Sequence, residues 1–552
     1  NNLFGTKLSD FPSVNGYGVK TGTLQIVHYD GFPSNESLSE FYLFENGNEF
    51  KLDFGVGPSI KPGSTITVLG KIVGKNIFVD AFEVVSGGVA AVANDTLGEQ
   101  KVAVILVSSQ DNPSEPDSPE QVHNKVFDMQ NSNSINYYVN EVSYEKSFLT
   151  GDVYGWYVLP ISQEVFCDLF VLDDYVIAAA DNDIDFSQYE RIMIIFPNNS
   201  ACWFGGLGSV GTYYMNTNDG QVIISSNAIN GTINIDNGVG AHEFGHNFGV
   251  WHANDFECND KVVGNDCQSV EYGDIYDIMG TIWHRGHYNA MHKELMNWLE
   301  TENVVIADHV GSYFIEPLEI SSNGVKAVKI PINSTSSYYI EYRRPIGLDQ
   351  GVGTYGNAVY GGAVVTLSLF AYDQGYGDSH LLDNQPLTGA NQEVDSRFVA
   401  LGLNQTFFDS IHNVLFTVTG FNENGLEIFV GPYFCGNNFV DAGEQCDAGE
   451  LSGQSCNTIG FSGGTLNCNS QCGFDVSSCT GEICAFGHTY NSENNSCNAT
   501  FFSNPQDATV WYAGFQSNWD VTRNAGAGTG YENNKSWIKV SSTYNPAVYS
   551  YN

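Results

Sequence analysis

The chain has 552 residues, too many for one ordinary domain, so we expect roughly three to five domains. Its formal net charge is −42, because 63 Asp and Glu residues face only 21 Lys and Arg residues. Such an acidic surface repels phosphate backbones and anionic lipids, so we exclude nucleic acid as a partner. No apolar run approaches the roughly 20 residues that cross a bilayer, and we predict no membrane span.

Residues 1–95 predict a small β domain. Short alternating segments, with Pro62 and Gly63 at a turn between two of them, indicate about five strands. Five short strands with glycine-rich corners favour a β-barrel of the OB type. Many such barrels bind nucleic acid, but this one has few basic residues, so we favour a packing or pro-segment-like domain. Whether it inhibits the rest of the protein is left open.

Residues 96–305 change to an α/β pattern. The run KVAVILVS at 101–108 predicts a buried strand, and Ser118 followed by Pro119 predicts the start of a helix. An amphipathic helix is predicted at 287–299, near the end of this domain.

The most specific motif starts at His242 and spells H-E-x-x-H-x-x-G-x-x-H through His252. Histidines four residues apart share one face of a helix, where His242 and His246 can hold one metal ion. Gly249 permits a backbone turn that returns His252 as a third ligand. Three imidazoles with one open position are typical of catalytic zinc. We therefore predict Zn²⁺ bound by the three histidines, with Glu243 as the catalytic base.

A second motif, DIYDIMG, occupies residues 274–280. Met279 lies 27 residues after His252, a distance suited to the methionine turn beneath the zinc site of metzincin peptidases. The two motifs in this order favour a metzincin-like α/β catalytic domain.

The sequence around these motifs resembles the gametolysin-type metallopeptidases of peptidase family M11. The resemblance covers about residues 95–305 and rests on the blocks SSQDNPSEPDSPEQV, NSINYYVNEVSYEKSFLTGDVYGWYVLP, GAHEFGHNFGVWHA, YGDIYDIMG and HYNAMHKELMNWL. It implies a secreted zinc endopeptidase that acts on extracellular or cell-wall proteins. It also implies an edge strand that pairs with extended substrate, for which residues 211–215 are our candidate.

The chain departs from the broader metzincin pattern in two places. Several metzincins carry a tyrosine two residues after the turn methionine, where this chain has Thr281. Tyr288, His284 and His287 are nearby candidates for an oxyanion donor, although we favour a structural role for each. The first cysteine is Cys167, so we expect no N-terminal cysteine that caps the zinc.

Cysteine and asparagine patterns indicate an oxidising, extracellular compartment and a glycoprotein. The 12 cysteines form local groups of even number, and the sequence leaves their pairing open. The disulfide candidates are Cys167, Cys202, Cys258, Cys267, Cys435, Cys446, Cys456, Cys468, Cys472, Cys479, Cys484 and Cys497. The glycosylation candidates, in N-x-S/T sequons, are Asn35, Asn94, Asn198, Asn230, Asn333, Asn404, Asn494, Asn498 and Asn534.

Residues 306–432 return to β segments and predict a β-sandwich packed against the α/β domain. A rare charged cluster within it predicts a structural salt bridge among Glu341, Arg343 and Arg344.

Residues 433–480 predict a Cys-rich disulfide module similar to those of secreted proteins. The candidates for a Ca²⁺ site in this module are Asp441, Glu444 and Asp447. Residues 481–552 predict a partial β domain or tail. We expect that the chain begins as a processed product and that the natural protein continues past Asn552 or is cleaved there.

Two other functions stay open beside the peptidase. The β-rich flanks, sequons and disulfide module also suit a structural subunit of an extracellular surface layer, sheath or filament that retains a protease fold. They suit a glycan- or wall-binding protein as well. The predicted partners are therefore a protein or glycoprotein substrate, further copies of this chain, and cell-wall glycan.

Overall fold

The structure is a computed structural model. It describes residues 16–32, 36–55, 58, 60–86, 96–236, 238–258, 261–264, 266–333, 335–352, 357–369, 378–384, 386, 399–431, 440, 445–447, 449–459, 461–469, 472–480, 488–491, 496–499, 528–532, 535–540 and 547–551. Several sheets and few helices make up this part of the chain. The chain divides into two compact units, Asn1–Pro432 and Tyr433–Asn552.

The first five strands close a ring of backbone pairing. They are β1 (Tyr17–Gly31), β2 (Glu36–Glu45), β3 (Asn48–Asp53), β4 (Thr65–Val73) and β5 (Asn76–Ser86). β1 pairs antiparallel with both β2 and β4, and the ring continues from β2 to β3, β5 and β4. Inward-facing residues such as Leu24, Leu43 and Ile66 fill a core of their own.

The same sheet continues into the segment that holds the zinc-type motif. Its strands are β6 (Gly98–Ser109), β7 (Ser147–Leu159), β8 (Arg191–Phe196), β9 (Gly206–Ser209), β10 (Tyr213–Thr217) and β11 (Gly220–Asn230). The order across the sheet is β7, β6, β8, β11, β9 and β1. β7, β6, β8 and β11 pair with one another in parallel, whereas β9 is antiparallel to both β11 and β1.

Helices cover both faces of this sheet, which explains the apolar runs at 102–107 in β6 and 192–196 in β8. The helices are α1 (Pro119–Phe127), α2 (Ile135–Val142), α3 (Leu169–Ala180), α4 (Ile233–Asp236), α5 (Val239–Asn247) and α6 (Ala290–Leu295). Short 3₁₀ turns occur at Gln163–Cys167, Phe186–Gln188, Gly347–Gln350 and Asn357–Tyr360.

Local capping explains where two of these helices begin and end. Ser118 and Gln121 form a reciprocal capping box at the start of α1, which confirms the predicted start. The helix predicted at 287–299 is shorter, because the Asn289 side chain caps α6 at its first turn. Asn297, with φ of +57°, then turns the chain away after its end.

Two further sheets share one apolar core. One contains β12 (Ala253–Glu257), β13 (Gln268–Val270), β14 (Val304–Ile306), β16 (Ala327–Pro331), β17 (Ser336–Tyr342), β18 (Ala363–Leu369) and β19 (Ser379–Leu382). The other contains β15 (Gly311–Ile315), β20 (Thr406–Asp409), β21 (Val414–Asn422) and β22 (Gly425–Val430). Tyr338, Ile340 and Phe416 lie in the core between them. The first sheet contains β12 and β13, which come before residue 305, together with strands that come after it. The chain that follows His252 is therefore part of this sheet.

A buried arginine ties this sheet to the methionine motif. Arg343 is 1% exposed, and its guanidinium contacts Glu341 at 2.7 Å and Asp349 at 3.2 Å. It also donates to the backbone carbonyls of Tyr276 and His287, at 2.9 and 3.0 Å. A buried charge with partners on all sides fixes the position of the segments that it joins. The expected structural salt bridge is thus present for Arg343.

The second unit contains short antiparallel pairs in the described residues. Its strands are β23 (Gly463–Gly464), β24 (Asn467–Cys468), β25 (Phe474–Asp475), β26 (Cys479–Thr480), β27 (His488–Asn491), β28 (Ser496–Ala499), β29 (Gly528–Glu532), β30 (Lys535–Val540) and β31 (Ala547–Tyr551). β23 pairs with β26, β24 with β25, β27 with β28, and β30 with both β29 and β31.

The prediction of disulfide bonds is confirmed. Cys167 joins Cys202 and Cys258 joins Cys267 in the first unit. Cys446 joins Cys468 and Cys456 joins Cys479 in the second unit, and Cys472 is disulfide-bonded as well. Cys435 and Cys484, and the side chain of Cys497, lie outside the described residues.

In the part of the chain that the structure describes, no helix has the length and apolar character needed to cross a membrane.

A carboxyl group buried in the main sheet gives a test of this packing. Asp173 of α3 is 5% exposed and accepts hydrogen bonds from the hydroxyls of Tyr213 and Ser226. Burial raises the pKa of the Asp173 carboxyl to about 7, although these hydrogen bonds lower it in part. The unfolded chain releases this proton near pH 4 and the folded chain only near pH 7, so this group costs folding stability increasingly as the pH rises between those values.

We expect Asp173→Asn, which mimics the protonated acid, to raise the melting temperature more at pH 7.5 than at pH 4. The exposed Asp80→Asn variant serves as the matched control. Thermal unfolding followed by circular dichroism measures both, and an equal effect of Asp173→Asn at the two pH values would contradict the assignment.

Candidate metal centre

Helix α5 places two of the predicted ligands on one face. His242 and His246 are fully buried and lie four residues apart along the helix. The helix ends at Asn247, and Gly249 follows with φ of +94°, a left-handed conformation that favours glycine. The Gly249 amide donates to the His246 carbonyl at 2.8 Å, and the chain turns back so that His252 lies beside the other two histidines.

The three imidazoles surround the carboxylate of Asp30, which lies in β1. The Nε2 atoms of His242, His246 and His252 lie 3.6, 3.3 and 2.8 Å from the Asp30 oxygens. The Nε2 atoms of His246 and His252 lie 3.2 Å apart. The ligand atoms of all four residues lie within 4.8 Å of one another, and no side chain of the four is more than 2% exposed.

These separations fit a tetrahedral zinc ion. Zinc binds nitrogen and carboxylate oxygen at roughly 2.0–2.2 Å, so two of its ligands lie about 3.3 Å apart. The distances from the three Nε2 atoms to the Asp30 oxygens, and the distance between the Nε2 atoms of His246 and His252, range from 2.8 to 3.6 Å and fall on both sides of this value. The structure therefore brings the three predicted histidines together and adds a carboxylate that the sequence did not indicate.

The other ring nitrogen of each histidine has an acceptor. His242 Nδ1 lies 2.9 Å from the Ile278 carbonyl, and His246 Nδ1 lies 3.0 Å from the Val250 carbonyl. A carbonyl only accepts, so each Nδ1 carries the proton and each Nε2 keeps a lone pair for a metal. His252 Nδ1 contacts the Glu271 carboxylate. Burial lowers the pKa of His252, but Glu271 and Asp30 outweigh burial and raise it to about 10.

Asp30 is held in this cluster by charge and by a tyrosine. Burial alone would raise the pKa of the Asp30 carboxyl, but the three histidines outweigh burial and lower it well below its usual value. The Tyr272 hydroxyl donates to Asp30 Oδ1 at 2.6 Å, and its ring centre lies 4.5 Å from that of His252. Tyr272 has φ of +57°, a conformation that is rare outside glycine and that often marks functional positions.

Glu243 lies directly against the backbone of β9. A Cβ atom at Gly206 would lie 2.1 Å from Glu243 Oε1, and one at Gly208 would lie 3.1 Å from Oε2. Glycine at these positions therefore lets the strand approach the helix. Burial, followed by the charge of Asp30, raises the pKa of Glu243 well above its usual value. The strand that contacts Glu243 is thus β9. The predicted segment 211–215 begins beside α5, since the Gly211 amide donates to the His246 carbonyl at 2.9 Å, and its pairing with substrate stays a prediction.

Met279 lies beneath α5, as the methionine motif predicts for such a turn. A Cβ atom at Gly245 would lie 2.3 Å from its sulfur, so glycine in the helix makes room for it. The Met279 carbonyl accepts from the Ala253 amide at 3.2 Å. The Asp277 carboxylate accepts from the amides of Met279 and Asn289, at 2.8 and 2.7 Å.

The three residues considered as oxyanion donors lie outside the ligand cluster. The Tyr288 hydroxyl is buried and donates to the Ala241 carbonyl at 3.3 Å. His287 is buried with its Nδ1 3.0 Å from Lys293 Nζ, and His284 is half-buried. These contacts fit the structural roles that we favoured for Tyr288 and His287.

Residues 173–253 match the family model described as reprolysin-like metallopeptidases of family M12B. The matched span runs from α3 through α5 and includes Glu243 and the three histidines, but not Asp30. The match supports a zinc metallopeptidase of the metzincin type, with a zinc cofactor and a protein substrate.

Three residues of this site were missed by the sequence analysis. Asp30 and Glu271 belong to no motif, and Asp30 is 212 positions before His242. Tyr272 begins the block YGDIYDIMG, but no role was predicted for it. The sequence feature that could have indicated a role for Glu271 and Tyr272 at the site is their position between the third histidine and the methionine motif. Asp30 gave no comparable sign.

The remaining site predictions lie away from this cluster. Asn230 is 5% exposed, and its amide donates to the carbonyls of Asn199 and Phe204, so we withdraw it as a glycosylation candidate. The exposed sequon residues are Asn198, Asn333 and Asn404. The placement of Asn35, Asn94, Asn494 and Asn534 and the side chain of Asn498 lies outside the described residues. Among the Ca²⁺ candidates, Asp447 is buried, and Asp441 and Glu444 also lie outside that part of the chain.

We expect Gly206→Ala to destabilise the protein by about 1–3 kcal/mol, since the added methyl group meets Glu243 and the Val239 side chain. Gly205→Ala is the matched control, because a Cβ atom there has no neighbour closer than 3.7 Å. Denaturant titration measures the free energy of unfolding of each variant. Equal stability of the two variants would show that the strand does not approach Glu243 this closely.

Proposed function

We propose that this protein is a secreted zinc endopeptidase of the gametolysin type, which hydrolyses peptide bonds of extracellular or cell-wall proteins. The observation that carries the proposal is the convergence of three histidine Nε2 atoms at one point, with Glu243 beside them. The disulfide bonds support an extracellular location, since such bonds persist in oxidising compartments.

A zinc ion bound by the three histidines supplies Lewis-acid activation of a water molecule and of the scissile carbonyl. Glu243 takes the proton from the attacking water and later gives it to the leaving amine. The hydrogen bonds from Nδ1 of His242 and His246 hold the imidazoles with Nε2 toward the reacting groups. The buried walls exclude bulk water and strengthen each of these electrostatic interactions.

Tyr272 is our proposed donor to the oxyanion that forms at the scissile carbonyl. Its hydroxyl already donates to an oxygen at the metal centre, that of Asp30. When a substrate carbonyl replaces this carboxylate, the same hydroxyl is placed to donate to it. Tyr272 thus takes the role for which the sequence analysis considered Tyr288, His284 and His287.

The flanking parts keep their sequence-based assignments as proposals. The ring of five paired strands supports an OB-like barrel within residues 1–95, and the two sheets with a common core support a β-sandwich within 306–432. The catalytic domain at 96–305, the Cys-rich module at 433–480 and the tail at 481–552 complete the proposed organisation. Ca²⁺ binding in the Cys-rich module, glycosylation at exposed sequons, self-assembly and contact with cell-wall glycan also stay proposals.

The alternative of a structural subunit that retains a protease fold is not favoured. The family match is to metallopeptidases and includes the predicted base and all three predicted ligands. A chain kept only for assembly has no need of the buried Glu243 beside the metal ligands.

We expect Glu243→Gln to lower kcat for an unstructured protein substrate by roughly 10²–10⁴-fold, because the general base is lost. Zinc content, measured by elemental analysis, should not change. Glu120→Gln, at an exposed position of α1, is the matched control. The comparison is made in the intact chain and in an Asp30→Ala background, since Asp30 lies among the histidines. Wild-type rates in the Glu243→Gln variants would refute the proposed role.

In an Asp30→Ala background, where no resident carboxylate accepts from Tyr272, we expect Tyr272→Phe to lower kcat by roughly 10²-fold with little change in KM, as for loss of one oxyanion donor. Tyr214→Phe, at an exposed position of β10, is the control. Steady-state kinetics with a fluorogenic peptide separate kcat from KM. A change in KM alone would indicate that Tyr272 contacts the substrate without stabilising the transition state.

A further inference from the structure

Strand β1 pairs with the backbone edge of β9 that borders the metal centre. Residues 27–30 run antiparallel to residues 206–209, with Asp30 opposite Gly206. The opposite edge of β9 pairs with β11. Extended peptides often bind by adding a strand to a free sheet edge, and β9 has both edges paired within the described structure. A substrate that binds along β9 must therefore replace β1.

The carboxylate of Asp30 also completes the ligand set. A catalytic zinc site keeps one position for water or substrate, whereas four protein ligands make a closed site. Asp30 lies within 3.6 Å of all three histidine Nε2 atoms and is fully buried. Since its oxygens lie where a fourth tetrahedral ligand belongs, a metal ion held by the three histidines would bind Asp30 as well.

Residues on both sides of Asp30 cover the histidines. The His28 ring centre lies 4.7 and 4.8 Å from those of His246 and His252, and the Phe32 ring centre lies 5.1 Å from that of His242. The Asp30 carbonyl accepts from the Gly205 amide at 2.8 Å, which anchors the backbone at this point. The neighbouring strand β2 adds a contact, because the Ser37 hydroxyl donates to the Glu271 carboxylate at 3.0 Å.

We propose that residues 27–32 are a resident blocking segment, in which Asp30 is a fourth metal ligand and the strand holds the place of the substrate. The peptidase is then latent until this segment is displaced. Latency rests on the proposed peptidase function. The role of Asp30 as a metal ligand rests only on its distances to the three histidines. It also answers the question that the sequence left open, whether residues 1–95 inhibit the enzyme.

The test uses the full chain loaded with Co²⁺, whose visible spectrum reports on the ligands of the metal. Acetohydroxamate, a small bidentate metal ligand, is titrated into the wild type, Asp30→Ala, Asp30→Asn and the exposed control Asp80→Ala. Asp30→Asn retains the size of the side chain and an oxygen for the Tyr272 hydroxyl, so it serves if Asp30→Ala loses its folded circular dichroism spectrum.

We expect both Asp30 substitutions to change the cobalt spectrum and to tighten acetohydroxamate binding at least about tenfold, because the protein ligand no longer competes. Asp80→Ala should behave as the wild type. At equal metal content, the Asp30 variants should also cleave a short fluorogenic peptide at least about tenfold faster than the wild type. Equal acetohydroxamate affinity and equal spectra in the wild type and the Asp30 variants would overturn the proposal.

Two further outcomes distinguish failure of the blocking role of Asp30 from failure of the proposed peptidase activity. If His246→Ala leaves the cobalt spectrum unchanged, the metal is bound elsewhere and both proposals fail. If the Asp30 variants bind acetohydroxamate tightly but no variant cleaves peptides, Asp30 is a ligand of a non-catalytic site, and the proposed peptidase activity fails together with latency.

Discussion

The contact between β9 and α5 is the constraint on which the site depends. Glycine at 206 and 208 removes the side chains that would separate the strand from Glu243, so backbone and carboxylate lie in contact. This closeness places the strand partner of β9 directly over the histidines, which is how Asp30 of β1 reaches all three Nε2 atoms. The same approach explains why Glu243 is buried, since the strand covers one side of it.

A second support comes from below the helix. Gly245 admits the Met279 sulfur, while Asp277 binds the backbone amides on both sides of the turn. Arg343, which directly follows strand β17 more than 60 residues later, donates to the Tyr276 carbonyl and so holds the same segment. The side of the metal centre at Met279 is therefore fixed by the sheet that follows it in sequence, and the side at Asp30 is covered by β1. The histidine motif thus lies between β1 and the methionine segment, which are far apart in sequence.

The sequence predicted the features that local chemistry specifies. Spacing alone placed His242, His246 and His252 as a set, Gly249 at the turn and Met279 in the following motif. It failed where placement depends on tertiary pairing. Asp30 looks like any acidic residue near the end of a strand, and only the register of β1 against β9 carries it to the histidines. Strand β9 was not predicted either, because GGLGS at 205–209 lacks the β-branched and aromatic residues that mark strands.

The glycine-rich character of β9 has a consequence for recognition. A strand without side chains at two of its four positions offers a partner mainly its amide and carbonyl groups. A chain that pairs with β9 is then held by hydrogen bonds of its backbone, which do not depend on its sequence. Selection between sequences must therefore come from side chains farther from this strand. If the edge of β9 were left unpaired, it would also favour aggregation, since unpaired strand edges pair with other chains. Direct replacement of β1 by an extended substrate would keep the edge of β9 paired at every stage.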